Sequence, residues 1–185
     1  MPGPEIISDR LILSPLSAAD SAALFAYRSL PEVFRYQSWE PQSLDDAISF
    51  IDGLASNVFD TSGMWFQFGI RLPESGELIG DLGVRLLQDG QQAEIGFTLA
   101  PSAQGRGFAA EAVVAVLDFL FGQLGKHRVF ASADPRNQSS LRLLQRVGMR
   151  QEAHFRESLL FKGEWADDVV FAVLDSEWVE HKSVG

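Results

Sequence analysis

The chain has 185 residues, enough for one domain with a sizeable core, and 46% of them are hydrophobic, which argues against a disordered chain. It has no cysteine, so disulfides, thiolate zinc sites and a cysteine nucleophile are excluded together. A formal net charge of −10 argues against general nucleic-acid binding; the acidic field would draw cationic acceptors, or simply keep the protein in solution. No basic-then-apolar leader opens the sequence, and Glu111 and Asp118 interrupt its longest apolar stretch. Neither a secretion signal nor a membrane span is therefore expected, and a cytoplasmic location is the default.

Ile6 to Leu13 reads as a strand. Ser17 followed by Ala18-Ala19-Asp20 offers an N-cap and an acidic first turn for a helix through about Ser29, and Ser43 caps a second helix to about Val58 in the same way. Met64–Arg71, Leu78–Leu87 and a strand ending at Ala100 follow, separated by the turns Pro73–Glu77 and Asp89-Gly90, and together predict an antiparallel meander. Phe108 to Leu124 is apolar almost all round, which predicts a helix buried against the sheet, with Gly125 as its C-cap. Val129–Ala133 is a short buried strand, and Asn137 or Ser139 caps a helix that ends at Gly148. Glu157–Phe161 and Asp168–Val173 read as two last strands joined by a turn over Lys162-Gly163-Glu164. The whole predicts an α+β fold: a mixed, mostly antiparallel, twisted sheet flanked by helices, in a single domain over residues 1–185.

One segment carries more chemistry than the rest. Gln104-Gly105-Arg106-Gly107-Phe108-Ala109 lies between the strand that ends at Ala100 and the helix that starts near Phe108. Glycines let the backbone pass close to a ligand, and the first amides of a helix have no internal partners. A strand, a glycine turn and a helix N-terminus therefore make a site for phosphate or pyrophosphate, or else only a tight turn. Gly105-x-Gly107-x-x-Ala110 also fits the dinucleotide fingerprint of an oxidoreductase. That reading needs a ribose-binding carboxylate about 20 residues on, and Gly125–Phe130 offers none before Asp134.

Read as Gln-x-x-Gly-x-Ala, the same loop resembles the one that grips the pyrophosphate of acetyl-coenzyme A in the GNAT acyltransferase superfamily. The resemblance extends along nearly the whole chain. Asp9–Leu16 with Ala19-Asp20 is similar to the family's opening strand and first helix, and Trp39-Glu40-Pro41 with Asp45–Ile51 to its second helical segment. Asn137-Gln138-Ser139-Ser140 through Gly148-Met149 is similar to its Asn-x-x-Ser…Gly-Phe/Met block. Together these blocks resemble the subgroup that contains the ribosomal-protein serine and alanine N-acetyltransferases. One position departs from the pattern: where the opening strand commonly ends in arginine, this chain has Ser14.

The resemblance implies an acetyl-coenzyme A-dependent N-acetyltransferase that moves the acetyl group directly to a primary amine, with no acyl-enzyme and no metal. It implies that Gln104, Gly105, Arg106, Gly107, Phe108, Ala109 and Ala110 hold the coenzyme, with backbone groups of Phe97, Thr98 and Leu99 beside its pantetheine arm. Arg136, Arg142 and Arg146, with Arg106, would supply local positive charge. Asn137 is a favoured N-cap residue and Ser140 is common in a first turn; the resemblance adds coenzyme or acceptor contact for Asn137 and protonation of the leaving thiolate for Ser140.

The base is less determined: Glu94 and Glu157 are the candidates, with Asp81 third, while His127, His154 and His181 have no evident partners in the sequence. Phe34, Tyr36, Trp39, Trp65 and Trp165 are aromatic candidates for the acceptor pocket, as against ordinary core. The acceptor is a protein N-terminus or a small amine, with no nucleic acid or membrane partner, and the protein is a monomer or homodimer. The alternatives are a non-catalytic acyl-coenzyme A-binding or sensor module on the same fold and, behind it, the dinucleotide oxidoreductase.

Overall fold

The computed structural model describes residues 3–55, 59 and 61–184. Its centre is one eight-stranded sheet in the order β1-β2-β3-β4-β5-β6-β8-β7. The strands are β1 (Ile6–Ile7), β2 (Ile12–Pro15), β3 (Trp65–Arg71), β4 (Leu78–Leu86), β5 (Gln92–Leu99), β6 (Arg128–Ala133), β7 (Arg150–Phe161) and β8 (Glu164–Leu174). The helices are α1 (Ser21–Arg28), α2 (Pro31–Phe34), α3 (Leu44–Ala55), α4 (Phe108–Asp118), α5 (Gln138–Arg146) and α6 (Asp175–Val184). No described helix is long and apolar enough to cross a membrane.

The meander β2 to β5 is antiparallel throughout, as its alternation predicts. Among the described strands only β5 and β6 run parallel, because the chain returns to the sheet through α4. Apolar faces sort the helices into two layers. Phe108, Ala112, Val113 and Val116 of α4 and Leu143 and Leu144 of α5 join the larger core cluster with Leu82, Ile95, Val129 and Phe171 of the strands. Leu24 and Tyr27 of α1, Val33 of α2 and Ile51 of α3 form a second cluster with Leu78 of β4. Each fully buried Leu, Ile or Phe contributes about 1.5–3 kcal/mol.

Several elements differ from the sequence expectation. The strand expected over Ile6–Leu13 is a hairpin of β1 and β2 whose turn is fastened from outside: Ser8 Oγ and the Arg10 amide and Nε donate to the Glu111 carboxylate of α4, at 2.7–2.8 Å. The second helix is described to Ala55, and residues 56–58 of its expected span lie outside the described residues. The helix from Phe108 is α-helical to Asp118 and then widens into a π-helical turn, Phe119–Gln123, before Gly125 at φ 59°. Strand β7 begins at Arg150 and not at Glu157, so Glu157 sits inside it at a bulge with φ 46°, and His154 lies on the same strand. Helices α2 and α6 were not expected at all.

Candidate active site

The parallel pair β5–β6 is short. Its register runs Gln92↔Arg128, Ala93↔Val129, Glu94↔Phe130 and stops there, while β5 continues to Leu99 alongside β4. At the two ends of the β4–β5 ladder Leu87 donates to Gln92 and Ala100 donates to Ile79, so even-numbered β5 residues bond to β4 and odd-numbered ones face β6. Beyond Glu94 there is no β6 register to meet them, and the backbone groups of Phe97 open into a cleft of about 780 Å³. Phe97, Thr98 and Leu99 line that cleft, although by the same alternation the backbone groups of Thr98 bond to β4.

One wall is the glycine loop. Gly105 (φ 73°) and Gly107 (φ 82°) occupy the left-handed region, which sharpens the turn into α4 in a way residues with a Cβ disfavour. No described backbone or side-chain group accepts from the amides of Gly105 through Ala110. Gly105, Gly107, Phe108, Ala109 and Ala110 line the cleft, so these free donors and the α4 dipole converge at one place. Gln104 acts differently: its Nε2 donates to Leu99 O at 3.1 Å and pins the loop to the end of β5. Arg106 stacks on the Phe108 ring at 4.7 Å. A pyrophosphate fits this donor set.

Positive charge comes partly from where the sequence indicates and partly from elsewhere. Arg142 and Arg146 of α5 line the cleft. Arg136 does not, being held by Asp134 at 2.6 Å, and that carboxyl is kept below its usual range because the Arg136 guanidinium and amide outweigh the effect of burial. Arg10 takes a place beside the loop instead, with Nη1 donating to Arg106 O at 3.2 Å and its guanidinium 4.7 Å from the Phe108 ring. Nothing local in the sequence marks Arg10 for this, since its anchor Glu111 is 101 positions away.

The opposite end of the cleft joins α5 to α2. Asn137 caps α5, its Oδ1 accepting from the Ser140 amide at 3.3 Å, and both residues line the cleft. The Ser140 hydroxyl makes no hydrogen bond among the described residues, so it is available to a ligand. Across from them stand Glu32, Val33, Tyr36 and Gln37, a wall that sequence reasoning missed apart from Tyr36. Its one local signal was Leu30-Pro31, a proline at the first position of a helix. Tyr36 Oη reaches the Arg136 carbonyl at 3.4 Å, bridging this wall to the α5 entry loop.

Beneath the wall lies a buried ion pair. Arg28 of α1 donates to both oxygens of Asp81 on β4, and Tyr27 Oη and Gln67 Nε2 donate to the same carboxylate. Burial, reinforced by the Asp81 charge, pushes the Tyr27 phenol well above its usual range, so it stays a donor. Asp81 is fully enclosed and does not line the cleft.

The two leading base candidates stand apart from the cleft. Glu94 is paired with Arg85, which also lies over the Trp65 ring, and it sits about 13 Å along β5 from Thr98 at about 3.3 Å per residue. Glu157 is exposed on the edge strand β7, its amide donating to Asp167 Oδ1 at 2.9 Å. The histidines have partners: His127 with Asp175 (3.2 Å), His154 with Asp167 (2.7 Å), and His181 stacked on Trp178 (5.7 Å between centroids). Among the aromatic candidates only Tyr36 lines the cleft. Phe34 lies under Lys162, Trp39 stacks on Phe50, and Trp165 is exposed at the β7–β8 tip. Where the family pattern has arginine, Ser14 Oγ accepts from Arg71 Nε of β3, so a guanidinium is supplied by the neighbouring strand.

Comparison with known proteins agrees with this geometry. The model of the acetyltransferase (GNAT) domain matches residues 10–150. The chain is 34% identical over 173 residues to the uncharacterized N-acetyltransferase YoaA of Bacillus subtilis (strain 168), covering 92% of this chain and 97% of that one. It is 27% identical over 185 residues to the [ribosomal protein uS5]-alanine N-acetyltransferase of Escherichia coli (strain K12), covering 96% and 94%. Among solved structures, a GCN5-related N-acetyltransferase from Brucella melitensis superposes with a TM-score of 0.85 at 26% identity, over 98% of this chain and 86% of the other. A GNAT-family acetyltransferase from Bacillus anthracis gives 0.84 at 25%, over 94% and 99%. A splayed parallel pair, a glycine loop with free amides and a match over most of the chain converge on one assignment: this protein belongs to the GNAT family and is an N-acetyltransferase.

Proposed function

We propose that the chain transfers acetyl from acetyl-coenzyme A directly to a primary amine, either a protein N-terminus or a small-molecule amine. The observation that carries this reading is the convergence of five unpartnered amides, those of Gly105, Gly107, Phe108, Ala109 and Ala110, on the cleft that also holds Asn137 and Ser140. The loop takes the pyrophosphate, the open edge at Phe97 takes the pantetheine arm, and the thioester then lies toward α2. The amine nitrogen bonds to the acetyl carbonyl carbon, the carbon–sulfur bond breaks, one proton leaves the nitrogen and one reaches the thiolate. Ser140, with a hydroxyl not otherwise engaged, supplies that last proton or holds the water that does. Since Glu94 and Glu157 stand away from the cleft, the amine's proton passes to water, or its neutral minority form reacts.

The curated relative that acts on the alanine of ribosomal protein uS5 supports a peptide amine as acceptor. The same reading takes residues 1–185 as one domain, because β8 inserts between β6 and β7 and the chain after residue 150 thereby completes the sheet. Calorimetric titration with acetyl-coenzyme A, followed by thiol-release assays on peptides beginning with alanine or serine and on simple amines, tests it. Micromolar coenzyme binding with release dependent on amine is expected. No coenzyme binding would reduce the glycine loop to a turn and remove the reading.

A further inference from the structure

Arg10 does not line the cleft, yet it holds the glycine loop from the outside. Its guanidinium is anchored first. Nε and Nη2 both meet Glu111 Oε2 at 2.7 Å, while the Arg10 amide and the Ser8 hydroxyl donate to Oε1 of the same carboxylate. From that anchor Nη1 donates to Arg106 O at 3.2 Å, and a Cβ on Gly107 would meet Nη2 at 3.4 Å. The guanidinium is thus seated against the Arg106–Gly107 peptide.

The loop is pinned on either side of that contact. Gln104 Nε2 donates to Leu99 O, and Gly107 O accepts the first α4 bond, from the Glu111 amide at 3.1 Å. Between those anchors, among the described residues, the Arg10 contact is the one hydrogen bond made by the backbone of Gly105 and Arg106.

Its consequence is orientation. In a trans peptide the carbonyl and the N–H point in opposite directions, and no described peptide bond is cis. Holding Arg106 O toward Arg10 turns the Gly107 N–H away from Arg10, and Gly107 lines the cleft. A flip of this one peptide unit would carry Gly107 from φ 82° to negative φ, which glycine occupies about as readily. It would also present a carbonyl oxygen where a pyrophosphate needs a donor. Charge is the lesser part of the effect, because Glu111 neutralises Arg10 in direct contact, whereas the planar fork reaches Glu111 and Arg106 O at once.

We propose that Arg10 is a positioning residue for coenzyme binding: from the β1–β2 turn it locks the Arg106–Gly107 peptide with its N–H toward the pyrophosphate, without touching the coenzyme. This rests on the acetyl-coenzyme A reading above and adds to it a determinant 96 positions from the residue it holds.

Arg10→Met removes the fork and the charge, and Arg10→Lys keeps the charge without the fork. Both leave the backbone amide and Ser8 on Glu111. Each variant should weaken acetyl-coenzyme A binding about tenfold in calorimetry, the worth of one charge-assisted hydrogen bond. The ratio to wild type should hold within about twofold from about 0.05 to 0.5 M sodium chloride, since a through-space charge effect would be screened away. In amide NMR spectra of the free proteins, Gly107 should give one sharp signal in wild type and a broadened or doubled one in both variants. The amides of Phe97 and Ser140, elsewhere in the cleft, should stay in place.

Four results would overturn the proposal: an Arg10→Met protein that binds as tightly as wild type, recovery of affinity by Arg10→Lys, a loss that fades with salt, or a lowered Tm with amide shifts spread through the whole cleft. A wild-type protein that binds no acetyl-coenzyme A would instead overturn the coenzyme reading itself.

Discussion

At the scale of single residues, the glycine loop and the α5 cap make different demands. Gly107 carries φ 82°, and a Cβ there would meet Arg10 Nη2 at 3.4 Å. Gly107→Ala should therefore destabilise the protein by about 1–2 kcal/mol through the left-handed backbone alone. Gly107→Glu adds a charge at the anion site as well, and should weaken acetyl-coenzyme A binding by about 2–3 kcal/mol, roughly a hundredfold, in a calorimetric titration. Affinity that survives Gly107→Glu would put the pyrophosphate elsewhere. The Asn137–Ser140 pair separates stability from chemistry. The cap runs from the Asn137 side chain to the Ser140 amide, so Asn137→Ala should cost about 1 kcal/mol of stability. Ser140→Ala leaves that bond intact and should keep Tm while lowering kcat more than it weakens coenzyme binding. An unchanged kcat would leave Ser140 as part of the first turn and nothing more.

At the scale of elements, the buried Arg28–Asp81 pair joins α1 to the sheet beneath the α2 side of the cleft. Burial works against the Arg28 charge, and the Asp81 carboxylate more than offsets it, keeping the guanidinium ionised. Asp81→Ala would strand that charge together with the Tyr27 and Gln67 donors, and a loss of about 3–5 kcal/mol in denaturant unfolding is expected. Arg28→Met with Asp81→Leu should recover the part due to the stranded charge, while the Tyr27 and Gln67 donors stay without their acceptor. If the single and double variants lose equally, packing and not charge is what α1 contributes there.

Legibility divides along similar lines. The meander, α4 and α5 could be read from alternation, glycine and capping signals lying within a few residues of one another. The β1–β2 hairpin could not, because its turn depends on Glu111, far along the chain. Strand β7 reads poorly from Arg150 to Arg156 because most of its residues are exposed on an edge strand, with no alternating face to betray it. The site shows the same split. The loop was legible as a local motif, whereas Arg10, Gln37 and the isolation of Glu94 by Arg85 depend on which strands lie side by side.

At the scale of the whole molecule, acid should act on the ion pairs that tie the elements together. Burial pushes the Asp20 carboxyl up, but the two-pronged Arg71 contact at 2.6 and 2.7 Å, with the Ser17 amide and hydroxyl, holds it below its ordinary range. Glu111 is lowered in the same way, with burial opposed by Ser8 and Arg10. A carboxyl whose folded pKa is depressed binds fewer protons in the folded state, so its contribution is complete above the unfolded value, about 3.9 for Asp and 4.3 for Glu. That contribution disappears as pH falls through the folded values. A second effect runs the other way, since a net charge of −10 at pH 7 repels itself and acid relieves the repulsion. The repulsion is spread over the surface and screened beyond about 8 Å at physiological salt, whereas the Asp20–Arg71 and Glu111–Arg10 pairs are direct contacts. The pairs should dominate at the acid end. Urea midpoints measured from pH 7 downward should stay level or rise slightly to about pH 5, then fall below about pH 4. Asp20→Asn should soften that fall, and added salt should flatten the upper plateau without removing the lower limb. Stability that kept rising to about pH 3 would mean that relief of net charge outweighs the paired carboxylates.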